Sequence, residues 1–446
     1  MEDAPRIPRP DPNRPKPPRL RVVKTMNPQP EPPAHEIAPE DIEEVTGVVE
    51  RKKPPTPPSR RHAIKPVKTP PRPTPVLAAN PIESAEEVLR PEKTINEIEA
   101  TEVEGFERAH VVVGMKVGKE HVVKGKPCED YVIAVPEHGI VGVADGIGAT
   151  SGEADAEGLN PAARASRAVA TTMADRFGAI EKGMTTFKAE SVLLGVKILN
   201  LDPNVNEMID LPISKSPREA AKAIDQLLLE DREAGKKAAA LIATLAEANK
   251  AIATTGGQTT ACVSARHGNY LFVANVGDSR GFIQRPGGEM IPVTREDSLL
   301  NYLIEVEALT PDQVRELAAR PDDDAEIDLS SLGATQTVRM SYKKLNATPM
   351  GGLGNPKEPT LAIPTLTILK VEPGTIFVAA TDGITDKMRK DDGLFDQETL
   401  QSHLGRNETR ASDAERVTAL IEEAERRETA AKAISDDAAI VREEIL

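Results

Sequence analysis

The order of apolar and polar residues predicts a series of short strands that begins near residue 105. Residues 111–117 have the pattern of a strand, and residues 131–135 and 140–143 flank a turn as in a hairpin. Four further apolar runs are separated by short turns and lie at 259–265, 270–276, 281–284 and 290–293. Because a parallel crossover needs about a dozen residues, connections this short predict antiparallel pairing.

Helices are predicted where apolar side chains recur every three or four residues. One such stretch covers residues 161–177, and another runs from a capping box at 216–219 to Ile252. Residues 300–328 read as a helical insertion capped at Thr310. Strand-rich segments covered by helices predict an α+β layered domain.

Residues 1–104 are predicted to form a proline-rich, disordered arm. The first hundred residues hold 23 of the 38 prolines, and Phe106 is the first aromatic residue, so this part cannot bury enough apolar surface to offset the entropy of ordering. The arm is interpreted either as a spacer or as a ligand for a proline-reading partner. Residues 105–446 are predicted to form one domain, with helical insertions near 180–254 and 298–330.

Charge and cysteine content narrow the class of protein. The formal net charge is −15, with +1 over the first hundred residues and −16 over the rest, which argues against a nucleic-acid binder because such a protein needs a positive face. Two cysteines, Cys128 and Cys262, cannot form a disulfide framework and favour a reducing compartment. No apolar run approaches the ~18 residues of a membrane span. We therefore expect a soluble, cytoplasmic protein.

Acidic turns beside apolar strands are the candidate chemistry. Asp-Gly or Asp-Asp pairs stand at 145–146, 382–383 and 436–437, and a Glu-Asp pair enters a strand at 129–130. One such pair alone is typical of a turn. Together they offer the hard oxygen ligands that Mg²⁺ and Mn²⁺ bind.

The order of these motifs resembles the metal-dependent serine/threonine protein phosphatases of type 2C, in particular their bacterial branch. The resemblance spans about residues 107–446, and its seven segments are 121–130, 145–146, 256–261, 276–280, 294–298, 381–383 and 436–437. It implies a four-layer α/β/β/α sandwich of two mostly antiparallel sheets flanked by helices. It also implies two Mn²⁺ or Mg²⁺ ions at the end of the cleft between the sheets.

The resemblance assigns roles to particular residues. Asp145 would bridge both ions and hold the metal-bound water that attacks the phosphate. The carbonyl of Gly146 would complete one shell. Asp382 and Asp436 would hold one ion, and the pair Glu129 and Asp130 would serve the second ion directly or through water.

Three departures from the family pattern limit the assignment. Many members carry an arginine that grips the phosphate, and this chain has Lys124 and Lys126 nearby instead. We expect Lys124 either to bind phosphate as a point charge or to be a solvated surface residue. Ile147 stands where eukaryotic relatives have histidine, and residues 250–260 contain no carboxylate, so we assign neither a general acid nor a third ion.

Two hypotheses about function follow. The first is a protein phosphatase that hydrolyses phosphoserine and phosphothreonine opposite a serine/threonine kinase, since two ions about 3.5–4 Å apart activate water and stabilise an anionic transition state. A cysteine mechanism is disfavoured, because Glu129 opposes a thiolate at Cys128. The alternative is a catalytically silent binding protein with a recruiting arm. Because every expected carboxylate is kept, the sequence favours the enzyme, with either broad specificity or a single regulatory phosphoprotein as substrate.

Overall fold

The computed structural model describes residues 21–22, 98–147, 154–184, 197–199, 213–214, 231–305, 308–328, 337–348, 350–354, 363–388, 396–406, 411–431 and 436–446. Most of the predicted arm and the predicted capping box at 216–219 lie outside these ranges.

The strands, in chain order, are β1 (Arg21–Val22), β2 (Glu99–Val103), β3 (Ala109–Lys116), β4 (Asp130–Val135), β5 (Ile140–Asp145), β6 (Lys197–Leu199), β7 (Ile213–Ser214), β8 (Ala261–His267), β9 (Tyr270–Val276), β10 (Arg280–Gln284), β11 (Met290–Pro292), β12 (Ala325–Asp328), β13 (Thr337–Met340), β14 (Thr365–Lys370), β15 (Ile376–Ala380) and β16 (Ala438–Ile445). The helices are α1 (Lys119–Lys124), α2 (Pro161–Gly183), α3 (Arg232–Ile252), α4 (Leu299–Glu305), α5 (Pro311–Ala318), α6 (Tyr342–Ala347), α7 (Asp382–Thr385), α8 (Gln397–Leu404) and α9 (Asp413–Ala431).

Two large sheets form the centre of the domain. Sheet I has the strand order β4-β5-β8-β9-β14-β6-β7, in which β14 and β6 pair in parallel and the other neighbours are antiparallel. Sheet II has the order β11-β10-β15-β16-β3-β2 and is antiparallel throughout its described strands. The prediction of mostly antiparallel sheets is confirmed.

Alternation along the strands builds the layers. In β3, Val111 and Val113 enter the core between the two sheets, whereas Val112 joins the core on the outer side of sheet II with residues of α8 and α9. In β5, Val141 faces the core between the sheets, and Ile140 faces α2 and α3. Because successive strand residues point to opposite faces, each sheet buries both sides. The result is the predicted four-layer α+β sandwich.

Helix α2 confirms the prediction from apolar spacing and extends it. Pro161 occupies the first turn, and Asn160 caps the helix by accepting a hydrogen bond from the N–H of Ala163 at 2.9 Å. The apolar face predicted to end near Phe177 is buried against sheet I. None of the helices in the described part of the chain has an apolar stretch long enough to cross a lipid bilayer.

The chain crosses from sheet I to sheet II between β9 and β10, which the sequence predicted to be antiparallel neighbours. That prediction was wrong: β9 pairs with β8 and β14, and β10 pairs with β11 and β15. Gly277 makes the crossing with a φ of 92°, and a Cβ atom there would approach the side chain of Thr260 to 2.7 Å. A short connection favours a hairpin only when distant strands do not offer better partners.

The insertion after residue 298 is only partly helical. It contains α4 and α5, and Thr310 caps α5 as predicted; the cap is a capping box with Gln313. The chain then forms β12, where Ala325 and Ile327 are buried and Glu326 is more exposed. This alternation is typical of a strand, and β12 lies between β1 and β13 in a small third sheet.

Strand β2 extends sheet II into residues that the sequence assigned to the end of the arm. It pairs with β3 from Glu99 opposite Met115 to Val103 opposite Val111. Val103 packs on the core between the sheets, whereas Glu99 and Glu102 are exposed. Composition alone did not predict this strand, because two of its five residues are exposed glutamates and an edge strand needs few apolar side chains.

Candidate active site

The predicted acidic residues lie at the ends of strands in both sheets. In sheet I, Asp130 begins β4 and Asp145 ends β5, and the two are register partners. In sheet II, Asp382 follows β15, and Asp436 precedes β16, which is the antiparallel neighbour of β15. Each sheet therefore brings a pair of acidic residues together at the ends of two neighbouring strands.

Asp145 and Asp382 connect the two pairs, because they lie close enough for the charge of Asp382 to raise the pKa of Asp145. Burial raises the pKa of Asp145 well above its usual range, and the negative charges of Asp130 and Asp382 raise it further. Burial, followed by the charges of Asp386 and Asp436, raises the pKa of Asp382 to about 7. The site therefore concentrates negative charge.

Asp130 is held by a residue of sheet II. The hydroxyl of Thr381 donates to Asp130 Oδ2 at 2.7 Å, and Thr381 Oγ1 accepts the N–H of Ala439 at 3.0 Å. Burial and the charge of Asp437 raise the pKa of Asp130 well above its usual range, and the bond from Thr381 opposes that change. The sequence singled out the 381–383 motif for its aspartate and missed the part played by the threonine.

Glu129 is buried and attached to α2. Asn160 Nδ2 donates to Glu129 Oε1 at 2.5 Å, and the hydroxyl of Ser166 donates to the Glu129 carbonyl at 2.5 Å. Burial raises the pKa of Glu129, and the hydrogen bond from Asn160 opposes the increase. Asn160 therefore caps a helix and orients a candidate ligand, a double role that its position before Pro161 does not reveal.

Gly146 packs tightly between two backbone segments. Its N–H donates to the Glu129 carbonyl at 3.0 Å. A Cβ atom at this position would lie 2.6 Å from the Ala162 carbonyl oxygen and 2.7 Å from that of Glu129. The close approach of β5 to both β4 and α2 therefore requires glycine after Asp145.

The two aspartates at 436 and 437 have different environments. Asp436 is exposed, and its Oδ1 accepts the N–H of Asp437 at 2.9 Å. Asp437 is buried and accepts hydrogen bonds from the segment that precedes β4. Its partners include His121, whose pKa is raised chiefly by this hydrogen bond. The sequence grouped the two aspartates, but the structure separates them.

Asp278 is a further acidic residue of the cluster, to which the sequence analysis assigned no ligand role. Burial raises the pKa of Asp278 well above its usual range, followed by the charges of Asp382 and Glu296. The crossing at Gly277 brings this residue from sheet I towards the end of β15. Because that crossing was not predicted, its proximity to Asp382 was not predicted either.

Lys124 is exposed at the last position of α1, on the segment that leads to Glu129. Gly125 ends the helix in the left-handed region, with a φ of 63°. Phosphate binding by Lys124 stays a prediction. Cys128 is buried, and burial raises its thiol pKa well above the usual range, so its environment disfavours the thiolate that a nucleophile requires.

The donor set matches a hard divalent cation in its chemistry. Its members are oxygen donors that repel one another, and a cation among them would stabilise their charged forms. Within the ranges that the structure describes, no three histidine, cysteine, aspartate or glutamate side chains converge closely enough to hold a metal ion. Asp145 and Asp382 lie close enough for the charge of Asp382 to raise the pKa of Asp145, while Asp130 and Glu129 are held by protein donors.

Comparison with known proteins defines the class. The protein phosphatase 2C family model matches residues 117–423, and the chain belongs to this family. The matched range contains Glu129, Asp130, Asp145 and Asp382 and ends before Asp436. No curated protein matches the chain.

Three solved structures are similar to this chain. PppA, a regulatory component of the type VI secretion system (T6SS) in Pseudomonas aeruginosa, is 15% identical, with 76% of this chain and 99% of that chain covered and a TM-score of 0.41. The Mycobacterium tuberculosis serine/threonine phosphatase PstP/Ppp is 19% identical, with 78% and 98% covered and a TM-score of 0.39. A PstP catalytic domain in complex with two manganese ions is 18% identical, with 78% and 98% covered and a TM-score of 0.36.

Proposed function

We propose that the protein is a protein serine/threonine phosphatase that hydrolyses phosphoserine and phosphothreonine monoesters. The observation that supports this function is the meeting of carboxyl groups from two sheets, with Asp145 of sheet I close enough to Asp382 beside sheet II for the charge of Asp382 to raise the pKa of Asp145. Repulsion within this cluster favours a cation. Membership of the protein phosphatase 2C family supports the same reaction class.

The proposed cofactors are two Mn²⁺ or Mg²⁺ ions. Asp145 would serve both ions, with the Gly146 carbonyl in one shell, Asp382 and Asp436 on one ion, and the Glu129–Asp130 pair on the other. When bound, the ions would supply an activated water and neutralise charge on the phosphoryl group. The protein contributes orientation: Thr381 fixes Asp130, and Asn160 fixes Glu129.

The proposed substrate is a phosphoprotein that a serine/threonine kinase has modified in the cytoplasm. The phosphate would approach beside α1, where Lys124 and Lys126 are exposed and offer positive charge. A proline-reading partner of the arm would bring the enzyme to such a substrate.

The insertion that carries α4, α5 and α6 borders the candidate site and fits a role in substrate choice. Asp297 Oδ2 accepts the N–H of Gly277 at 2.9 Å, and the Asp297 carbonyl accepts the N–H of Met350 at 2.7 Å. Both ends of the insertion are thereby attached next to Asp278. A substrate that contacts the insertion would lie close to the acidic cluster.

Phosphate release from a phosphothreonine peptide, measured during titration with Mn²⁺ or Mg²⁺, tests the proposal. The wild type should release phosphate only with metal, and Asp382→Asn should lose at least 100-fold in turnover, since a metal site depends on ligand charge. Asp175→Asn is the matched control, because Asp175 is exposed on α2. A folded wild type that releases no phosphate with either metal contradicts the proposal and favours the catalytically silent alternative.

A further inference from the structure

Asp437 is almost completely buried, with 1% of its surface exposed. Its Oδ1 accepts the N–H of Gly118 at 2.7 Å, and its Oδ2 accepts the N–H of Glu129 at 2.6 Å. The third donor is His121, whose Nδ1 lies 2.8 Å from Oδ2. A carboxylate has about four acceptor sites, and here three of them are occupied by protein donors. The carboxylate of Asp437 therefore has a structural role, because it accepts hydrogen bonds that hold another part of the chain in place.

All three donors belong to one segment, residues 118–129, which is more than 300 residues away in the sequence. This segment carries α1 and leads directly into β4 of sheet I, whereas Asp437 leads into β16 of sheet II. The carboxylate thus joins the two sheets at the end where the acidic residues lie. We infer that Asp437 and His121 form a positioning pair that sets the place of Glu129 and Asp130 relative to Asp436.

Glu129 shows how the position is transmitted. Asp437 holds its N–H, while its carbonyl accepts hydrogen bonds from the N–H of Gly146 at 3.0 Å and from the hydroxyl of Ser166 at 2.5 Å. One peptide segment is therefore fixed from sheet II on one side and from β5 and α2 on the other. Loss of the bond to Asp437 would free Glu129 and its neighbour Asp130 to move away from Asp436.

His121 completes the pair because it supplies a side-chain donor and covers the carboxylate. Its side chain is 13% exposed, and its Nε2 lies 4.0 Å from Glu129 Oε2. The imidazole consequently stands between the carboxylate of Asp437 and that of Glu129. It keeps Asp437 Oδ2 directed at the backbone of Glu129 and away from the cluster.

Asp436 differs from Asp437 in both burial and hydrogen bonding. It is exposed, and its Oδ1 accepts only the N–H of the next residue in the chain among the hydrogen bonds described for its carboxylate. Of the two neighbouring aspartates, Asp436 is the one available to an ion, whereas Asp437 sets the position of Asp436 relative to Glu129 and Asp130. This inference rests on the proposed function, because that function assigns the ions to Asp436 and Glu129.

Three variants of the full chain test the inference: His121→Leu, His121→Asn and Asp437→Asn. Calorimetric titration with Mn²⁺ should show about 10- to 100-fold weaker binding for His121→Leu and Asp437→Asn, the usual loss when a residue that orients a metal ligand is changed. His121→Asn should restore binding close to wild type, because its amide nitrogen lies where Nδ1 does and can donate to Asp437. Turnover at saturating Mn²⁺ should fall much less than the affinity.

A measurement without metal reports on the same hydrogen bond. Hydrogen exchange of the Glu129 amide should become at least ten-fold faster in Asp437→Asn and His121→Leu, since the amide loses an acceptor or that acceptor loses its fixed orientation. His403→Leu is the matched control, because His403 lies on α8 and is bonded to Thr399 of the same helix. It should change neither exchange at Glu129 nor Mn²⁺ affinity.

The outcomes separate the two proposals. If the wild type binds Mn²⁺ and His121→Leu binds it equally well, the positioning pair is wrong and the proposed function stands. The pair is equally wrong if His121→Asn binds as weakly as His121→Leu while both melt like the wild type. If the wild type binds no Mn²⁺, the proposed function fails and takes the positioning role with it. Should Asp437→Asn not fold, the His121 variants and exchange at Glu129 still decide the question.

Discussion

The hydroxyl of Thr381 donates a hydrogen bond to the carboxylate of Asp130 at 2.7 Å and so connects the end of β15 to the start of β4. The same oxygen accepts the N–H of Ala439 at 3.0 Å. One buried side chain therefore serves two strands of sheet II and one strand of sheet I. It holds Asp130 beside the other acidic residues, where burial and like charges oppose its ionised form.

Replacing Thr381 by valine should separate these contributions, because valine keeps the shape of threonine and removes the hydroxyl. The change leaves a buried acceptor and a buried N–H without this partner, so we expect a loss of about 1–3 kcal/mol in the free energy of unfolding. Chemical denaturation without metal measures it. Thr101→Val on the edge strand β2 is the control and should change stability little. A Thr381→Val protein as stable as wild type would show that the hydroxyl does not hold Asp130.

The acidic cluster should make the metal-free protein less stable as the pH rises. Asp382 has a folded-state pKa of about 7, above its usual value near 3.8. The folded state therefore binds the proton more tightly, and stability from this group falls between pH 4 and pH 7 and stays low above it. Melting temperatures measured in EDTA at pH 5 and pH 8 should differ less for Asp382→Asn than for wild type.

Mn²⁺ should offset this loss of stability at pH 8. The wild type should gain melting temperature with Mn²⁺, because a ligand that binds only the folded state stabilises it, whereas Asp382→Asn should gain little. Asp175→Asn should behave as wild type in both measurements. An unchanged pH dependence in Asp382→Asn would mean that the cluster does not destabilise the metal-free fold.

The sequence predicted the layers because each layer has a local signature. The continuous apolar run at residues 111–113 indicates a strand buried on both faces, and apolar spacing from 161 to 177 indicates a helix against a sheet. Pairing between distant strands has no such signature. The short turn at Gly277 predicted a hairpin, whereas β10 pairs with β15, almost a hundred residues further on.

The same limit applies to the candidate site. Aspartates at strand ends are visible in the sequence, so the positions of Asp145 and Asp382 next to β5 and β15 were predictable. The residues that hold Glu129 and Asp130 were not predictable, because Thr381, Asn160 and Asp437 reach partners 31 to more than 300 residues away. Their side chains are ordinary turn and cap residues until the fold supplies those partners.

Gly146 should tolerate no side chain. In Gly146→Ala the new Cβ would meet the Ala162 and Glu129 carbonyl oxygens at 2.6 and 2.7 Å. These are backbone atoms, so β5 must move away from α2, and we expect a loss of about 1–3 kcal/mol in the free energy of unfolding. Denaturant titration measures the loss. Mn²⁺ affinity should fall as well, because Asp145 moves with the strand.

Gly183→Ala is the control for Gly146→Ala. Gly183 ends α2, and a Cβ atom there meets nothing within 4 Å. Alanine favours the helix over glycine by up to about 1 kcal/mol, so this variant should be as stable as wild type or slightly more stable. Equal stability of the two variants would contradict the tight packing at Gly146.

Asn160 offers a way to separate helix capping from support of the site. Its Oδ1 accepts the N–H of Ala163 at 2.9 Å, and its Nδ2 donates to Glu129 Oε1 at 2.5 Å. Serine caps helices about as well as asparagine, whereas alanine does not. Asn160→Ser should therefore keep the cap and lose the bond to Glu129, and Asn160→Ala should lose both.

The two variants should consequently differ in stability but not in Mn²⁺ affinity. Unfolding free energy should be lower by about 1 kcal/mol in Asn160→Ala than in Asn160→Ser, since only alanine removes the cap. Mn²⁺ affinity should fall by a similar factor in both, because both leave Glu129 without the amide donor that orients it. Affinity that followed stability instead, with Asn160→Ser binding as wild type, would assign Asn160 to the helix alone and leave the orientation of Glu129 to Asp437 and Ser166.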